Sequence, residues 1–259
     1  MAGLKDLMGD FARLARATVA GSLALAVACA APASNAGFGV PRFDPPDGPY
    51  RPQALSPAER YARMDRDRCE AELAQRGIPF VRVDSARGVL EPVRLGGTLH
   101  GVSFHSDLPP SQRDKAPIEI VDCRLVLSLD DFAAQLATHD VVEVVHYSMY
   151  RPPSMRWPGG KTATRHPGGL AIDAAKFVRR DGTKLVVERD FHGRIGAKTC
   201  GPGTGPQPAT PDAVELRKIV CDAAQAKLFN VALTPDFNRP HYNHFHLEVT
   251  ANTRWFYLH

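Results

Sequence analysis

The sequence predicts an α+β fold, a small antiparallel sheet with flanking helices, stapled by disulfides. Three observations lead there. Two segments carry full helix-start signals, the apolar runs between them are short and separated by turn residues, and four cysteines fall in the body of the chain. Composition agrees: 44% hydrophobic and 23% charged residues in 259 describe a folded globular protein and exclude a coiled coil, a collagen-like fibre or a mostly disordered chain. The net charge of +4 is small, and the arginine-rich run 60–68 is interrupted by Asp65 and Asp67, so no nucleic-acid partner is expected.

Residues 1–36 read as an export signal. Lys5, Arg13 and Arg16 precede an uncharged stretch from Ala17 to Ala31, and small residues ending in Ala33-Ser34-Asn35-Ala36 offer a cleavage site. The uncharged stretch is shorter than the roughly 20 apolar residues that span a bilayer, and no later segment is more apolar, so the mature protein is expected to have no transmembrane helix. Cys29 leaves two readings open. It is removed with the signal, or Leu25-Ala26-Val27-Ala28-Cys29, which resembles a bacterial lipobox with Ala26 in place of the usual Leu, is lipidated and anchors the chain at the outer membrane. Either way the chain is expected in the periplasm or cell envelope, where Cys69, Cys123, Cys200 and Cys221 would form two disulfides.

Residues 37–57 are proline-rich and read as an extended linker to a domain spanning 58–259. The first helix starts with Ser56 as N-cap, Pro57 at the first helical position and Glu59 completing a capping box, and it stops at Gly77. Tyr61, Ala62, Cys69 and Leu73 share its apolar stripe, which directs Cys69 to the core. Phe80 to Val83, Val89 to Leu95 and Ile118 to Ser128 read as strands. Leu129 to Leu136 reads as a short helix capped by Ser128 or Asp130, and Val141 to Val145 as a buried strand. A second capped helix begins at Thr210-Pro211-Asp212 and runs to about Phe229, with Val214, Cys221, Ala224 and Leu228 on one side. The loop before it, Gly201 to Pro208, has Cys200 at its base, and a Cys200 to Cys221 bridge would contribute about 3 kcal/mol.

Two segments carry the chemistry. In Thr164-Arg165-His166-Pro167-Gly168-Gly169-Leu170-Ala171-Ile172-Asp173 the second half alternates as a strand, so Ala171 and Asp173 share a face, and the glycines let the turn bring His166 towards it. In His241-Tyr242-Asn243-His244-Phe245-His246-Leu247-Glu248, strand periodicity places His244, His246 and Glu248 on one face and Phe245, Leu247 and Val249 on the other. Two neighbouring imidazoles on a half-buried strand need polar partners. His166, Asp173 and one of these histidines make a nitrogen and oxygen set suited to Zn²⁺, with a fourth position left for water, as in catalytic sites. Glu248 is either a partner of His246 or an exposed residue, and His241 either a second base or part of a turn. Trp157, beside Pro158-Gly159-Gly160, either lines a substrate groove or packs. His100, His105, His139, His146, His192 and His259 lack ligand-like spacing and are expected in surface or hydrogen-bonded roles.

With His166-x6-Asp173 followed by His244-x-His246, the chain resembles the zinc-peptidase superfamily of D-alanyl-D-alanine carboxypeptidases, lysostaphin-type endopeptidases and the hedgehog signalling domain. The His-x2-His-Phe-His-Leu-acid ending, the Tyr147-Ser148-x-x-Arg151 segment and the placement of Cys200 and Cys221 resemble, more closely, the bacterial extensin-like C-terminal family, over roughly Cys69 to Val249. The resemblance implies a carboxypeptidase/hedgehog-like fold with His166, Asp173 and His246 as zinc ligands. It also implies that His244 is the companion catalytic histidine, that Arg151 grips a substrate carboxylate, and that Thr164 stands where relatives carry a serine. The implied activity is hydrolysis of an amide bond in the stem peptides of peptidoglycan. Carboxypeptidase relatives use a glutamate three residues before the last ligand, where this chain has Asn243. An amide accepts no proton at neutral pH, so His244 would have to serve as base, or the domain would bind cell wall without turnover around a retained or vestigial zinc site.

Overall fold

The computed structural model describes residues 54–259. The export signal, Cys29 and residues 37–53 of the linker lie outside the described residues.

The described residues open near the Ser56 capping box, which is present as expected, but the helix it starts is short. Helix α1 covers Pro57–Tyr61 and helix α2 Arg66–Gln75, where a single helix was expected. The break has a local cause: Asp65 adopts extended backbone and its carboxylate accepts the amide of Arg68, so it caps a new helix. The expected stripe survives, with Tyr61, Ala62, Cys69 and Leu73 all buried. Strands β1 (Phe80–Arg82), β2 (Pro92–Leu95) and β4 (Val121–Asp122) form a small antiparallel sheet, with β3 (Ser103–Ser106) and helix α3 (Pro110–Arg113) between them in sequence.

The strand expected over Ile118 to Ser128 is the largest departure. Its apolar run is mostly the start of helix α4 (Cys123–Ala137), capped by Asp122 rather than by Ser128 or Asp130. Nearly every residue of its first half is buried, because α4 lies under α1 and α2 and against β5 (Val141–His146) and α6 (Pro211–Gln225). Helical turns covered on all sides have no polar stripe, so the first half of α4 reads as a continuous apolar run, like that of a buried strand. Helix α6 is capped by Thr210 as expected, but its buried side is Ala213, Leu216, Val220 and Ala223. Val214 is exposed, and Cys221 and Ala224 lie at the margin, where Cys221 can reach the preceding loop.

The main sheet has the order β10-β8-β9-β6-β5-β3, with β7 also on β6. Its remaining strands are β6 (Ala171–Arg179), β7 (Lys184–Val186), β8 (Val231–Leu233), β9 (Phe245–Glu248) and β10 (Tyr257–Leu258), and the short helix α5 (Val187–Asp190) follows β7. The fold is α+β, as expected. The sheet is larger than anticipated, and its antiparallel centre is extended by parallel pairs at both edges, β3 on β5 and β10 on β8. Cys69–Cys123 joins α2 to the start of α4, and Cys200–Cys221 ties the Gly/Pro-rich loop to α6. Among the described residues no helix is long and apolar enough to cross a membrane.

Candidate metal centre

Strands β6 and β9 pair with Asp173 opposite His246 and Ala171 opposite Glu248. Directly paired residues share a face, so two segments far apart in sequence put Asp173, His246 and Glu248 on one surface. His166 comes from the turn before β6. That turn is tightly built: a Cβ on Gly168 would sit 2.3 Å from the Ala163 carbonyl oxygen. Gly169 has φ +64°, and a Cβ there would meet the Asp122 amide at 2.8 Å. Arg165, just before the histidine, is held at φ 55° and ψ −147°, a region that disfavours side chains and costs on the order of 1–3 kcal/mol. The chain accepts that strain where it delivers His166 to the sheet face.

Four groups converge. His166 Nε2 lies 2.9 Å from Asp173 Oδ1 and 3.2 Å from His246 Nδ1, and His246 Nδ1 lies 3.1 Å from the same carboxylate oxygen. His244 Nε2 approaches that oxygen at 3.2 Å. Ligand atoms of His166, Asp173 and His246 all lie within 4.8 Å of one another, and all three residues are buried. Each imidazole has an acceptor at its far nitrogen: the Met149 carbonyl for His166, Glu248 for His246 and the Asn243 carboxamide oxygen for His244. When those outer nitrogens carry the hydrogens, three lone pairs and a carboxylate oxygen face one point. Such a cluster demands positive charge at its centre, and the donor set suits a divalent cation of the zinc type.

The electrostatics agree. Burial alone would raise the Asp173 carboxyl, but contacts with His166, His244 and His246 hold it far below the usual carboxylate range. Burial pushes His166 down, overcoming the attraction of Asp173. His246 is also pushed down by burial, yet Asp173 and Glu248 together hold it above its ordinary value, so a proton there supplies the charge that a cation otherwise would. His241 falls to about 4, through burial and the proximity of His244 and His246, and is a neutral imidazole at physiological pH.

His166, Asp173, His244 and His246 are brought together, and Glu248 is the buried partner of His246, with Oε2 3.3 Å from its Nε2. Arg151 reaches the site, but its Nη2 donates to Asp173 Oδ2 at 2.7 Å. One part of the guanidinium thus braces the Asp173 carboxylate, while the side chain, 57% exposed, keeps other donors towards the cleft. Thr164 is exposed beside the turn. Trp157 is not at the cleft: its Nε1 closes a turn on the Lys161 carbonyl. His241 proves to be a cleft residue, its ring 5.2 Å from that of His244. His100, His105 and His139 pair with Asp130, Glu143 and Glu215, and the fully buried His146 lies beside Glu119.

The centre opens into a cleft of about 970 Å³. Its far wall, formed by Phe237, Trp255, Phe256 and Tyr257, was not expected from sequence. The aromatic tail 255–257 was a visible signal, but nothing local connects it to the histidines. A family model described as extensin-like protein C-terminus matches residues 68–257. No curated protein and no solved structure matches the chain.

Proposed function

The chain belongs to the extensin-like C-terminal family, and from that premise we propose that it is an exported zinc-dependent hydrolase that cleaves an amide bond in the stem peptides of peptidoglycan, related to the carboxypeptidase, lysostaphin and hedgehog superfamily. The observation that carries the reading is the convergence of three imidazole nitrogens on one oxygen of Asp173. Export rests on residues 1–36 and is consistent with the two disulfides.

His166, Asp173 and His246 would hold the ion. A bound zinc ion supplies Lewis acidity, which polarises the scissile carbonyl and makes water a better nucleophile at neutral pH. The rest is done by the chain. His244 Nε2 takes a proton from the attacking water and delivers it to the leaving amine, while the Asn243 contact at Nδ1 fixes its ring. That gives Asn243 an orienting role at the position where carboxypeptidase relatives carry their base. Met149 and Glu248 fix the tautomers of His166 and His246. Arg151 steadies Asp173 with one N–H and offers the others to a substrate carboxylate.

Asn243 also favours a second reading, a cell-wall binding module that retains zinc without turnover. Digestion of purified peptidoglycan, with metal analysis of the same preparation, separates the two. Released fragments that disappear in His166→Ala support the hydrolase. One zinc per chain without fragments supports the binding module, and no zinc refutes both.

A further inference from the structure

The face that carries the metal residues does not end at β9. β8 pairs with β9, Leu233 opposite His246 and Val231 opposite Glu248, and β10 pairs with β8, Tyr257 opposite Val231. Paired residues share a face, so the surface runs from Asp173 and His246, over the apolar side chains of Val231 and Leu233, to Tyr257. At about 4.8 Å per strand, Tyr257 stands about 10 Å from β9, roughly three residues of extended peptide.

Trp255 and Tyr257 line this end of the cleft and are 53% and 43% exposed. Their backbone is nonetheless pinned. Asn230 is fully buried and spends its polar groups there: Nδ2 donates to the Trp255 carbonyl, its own carbonyl accepts the Tyr257 amide at 2.8 Å, and Oδ1 accepts the Thr250 amide at 2.9 Å. The ring of Phe237 meets that of Tyr257 edge-on at 6.0 Å and that of His241 at 5.4 Å, linking the wall to the histidines. A buried asparagine that fixes the backbone carrying two exposed rings, with Phe237 against one of them, describes a prepared platform.

We propose that Trp255 and Tyr257 form a saccharide subsite, so that the substrate is a peptide still attached to its glycan. A free apolar side chain is best received by an enclosed pocket. Half-exposed flat rings with Asn238 and His241 alongside instead match a pyranose, whose C–H face lies on an aromatic ring while its hydroxyls stay hydrated. The identity of the peptide and of its glycan rests on the proposed cell-wall function.

Trp157 and Trp255 are the two tryptophans of the chain, and Trp157 lies outside the cleft, so Trp157→Phe leaves Trp255 as the sole tryptophan, read by selective excitation at the red edge where tyrosine does not absorb. This protein is titrated with a β-1,4-linked N-acetylglucosamine dimer, with a stem peptide, and with the same peptide carrying its disaccharide. The dimer is expected to shift Trp255 emission saturably, and the glycopeptide to bind about tenfold more tightly than the bare peptide. Calorimetry on Trp255→Ala and Tyr257→Ala should show that about tenfold advantage lost, with Trp255→Phe retaining part of it and circular dichroism confirming that the variants are folded. An unchanged emission on adding the dimer, or a bare peptide that binds as tightly as the glycopeptide, overturns the subsite. Binding requires neither metal nor turnover. Sugar binding without peptidoglycan digestion therefore supports the platform while removing the hydrolase.

Discussion

Replacing Asp173 by Asn tests the metal centre with little disturbance of the fold. The amide has the shape of the carboxylate, so its oxygen can still accept Arg151 at the Oδ2 position while its NH₂ donates to the imidazoles now facing Oδ1. The metal-free variant should therefore stay folded. What it loses is the only anionic ligand of the proposed set. With zinc at about 1,000 times its dissociation constant, mass action stabilises the wild type by about 4 kcal/mol. For a domain of roughly 150–250 residues each kcal/mol moves the midpoint by about 2–4 °C, so thermal unfolding after chelation and zinc re-addition should rise by about 8–16 °C. Asp173→Asn should respond by less than about 2 °C in the same scan. Equal shifts in the two proteins, or no shift in the wild type, would show that the convergent cluster is not a cation site.

His244→Ala should keep close to one zinc per chain yet lose about 10²–10⁴ in peptidoglycan digestion, whereas His166→Ala should lose both, as read by metal analysis and fragment release. The chain separations of 54 and 21 residues imply about 4 and 3 kcal/mol for Cys69–Cys123 and Cys200–Cys221, so urea unfolding of the paired serine variants should rank them in that order. Glu119 is held down to about 2: burial opposes this, but the buried His146 3.2 Å away and the bonds from Ser106 outweigh it. A carboxyl depressed in the folded state contributes stability above its unfolded value of 4.5, and that contribution, about 3 kcal/mol, is lost as pH falls from 4.5 to 2. Glu119→Gln should therefore show a shallower loss of urea stability over that interval, and an unchanged acid profile would contradict the assignment.

The sequence by itself determined the pieces whose signals are local. The alternation of His244, Phe245, His246, Leu247 and Glu248 fixed which side chains share a face of β9, because strand side chains alternate whatever they pack against. Caps at Ser56 and Thr210 were legible for the same reason, since a side chain bonding an amide three residues on involves no distant partner. The start of helix α4 was not legible as a helix because burial of its first two turns on every side erased the periodicity that marks one, and burial is imposed by other elements. Only the tertiary structure decided that Arg151 braces Asp173 and that Trp255 and Tyr257 share a cleft with the histidines. The first depends on the pairing of β5 with β6 and the second on that of β6 with β9, β9 with β8 and β8 with β10, a register set by packing between separate segments of the chain.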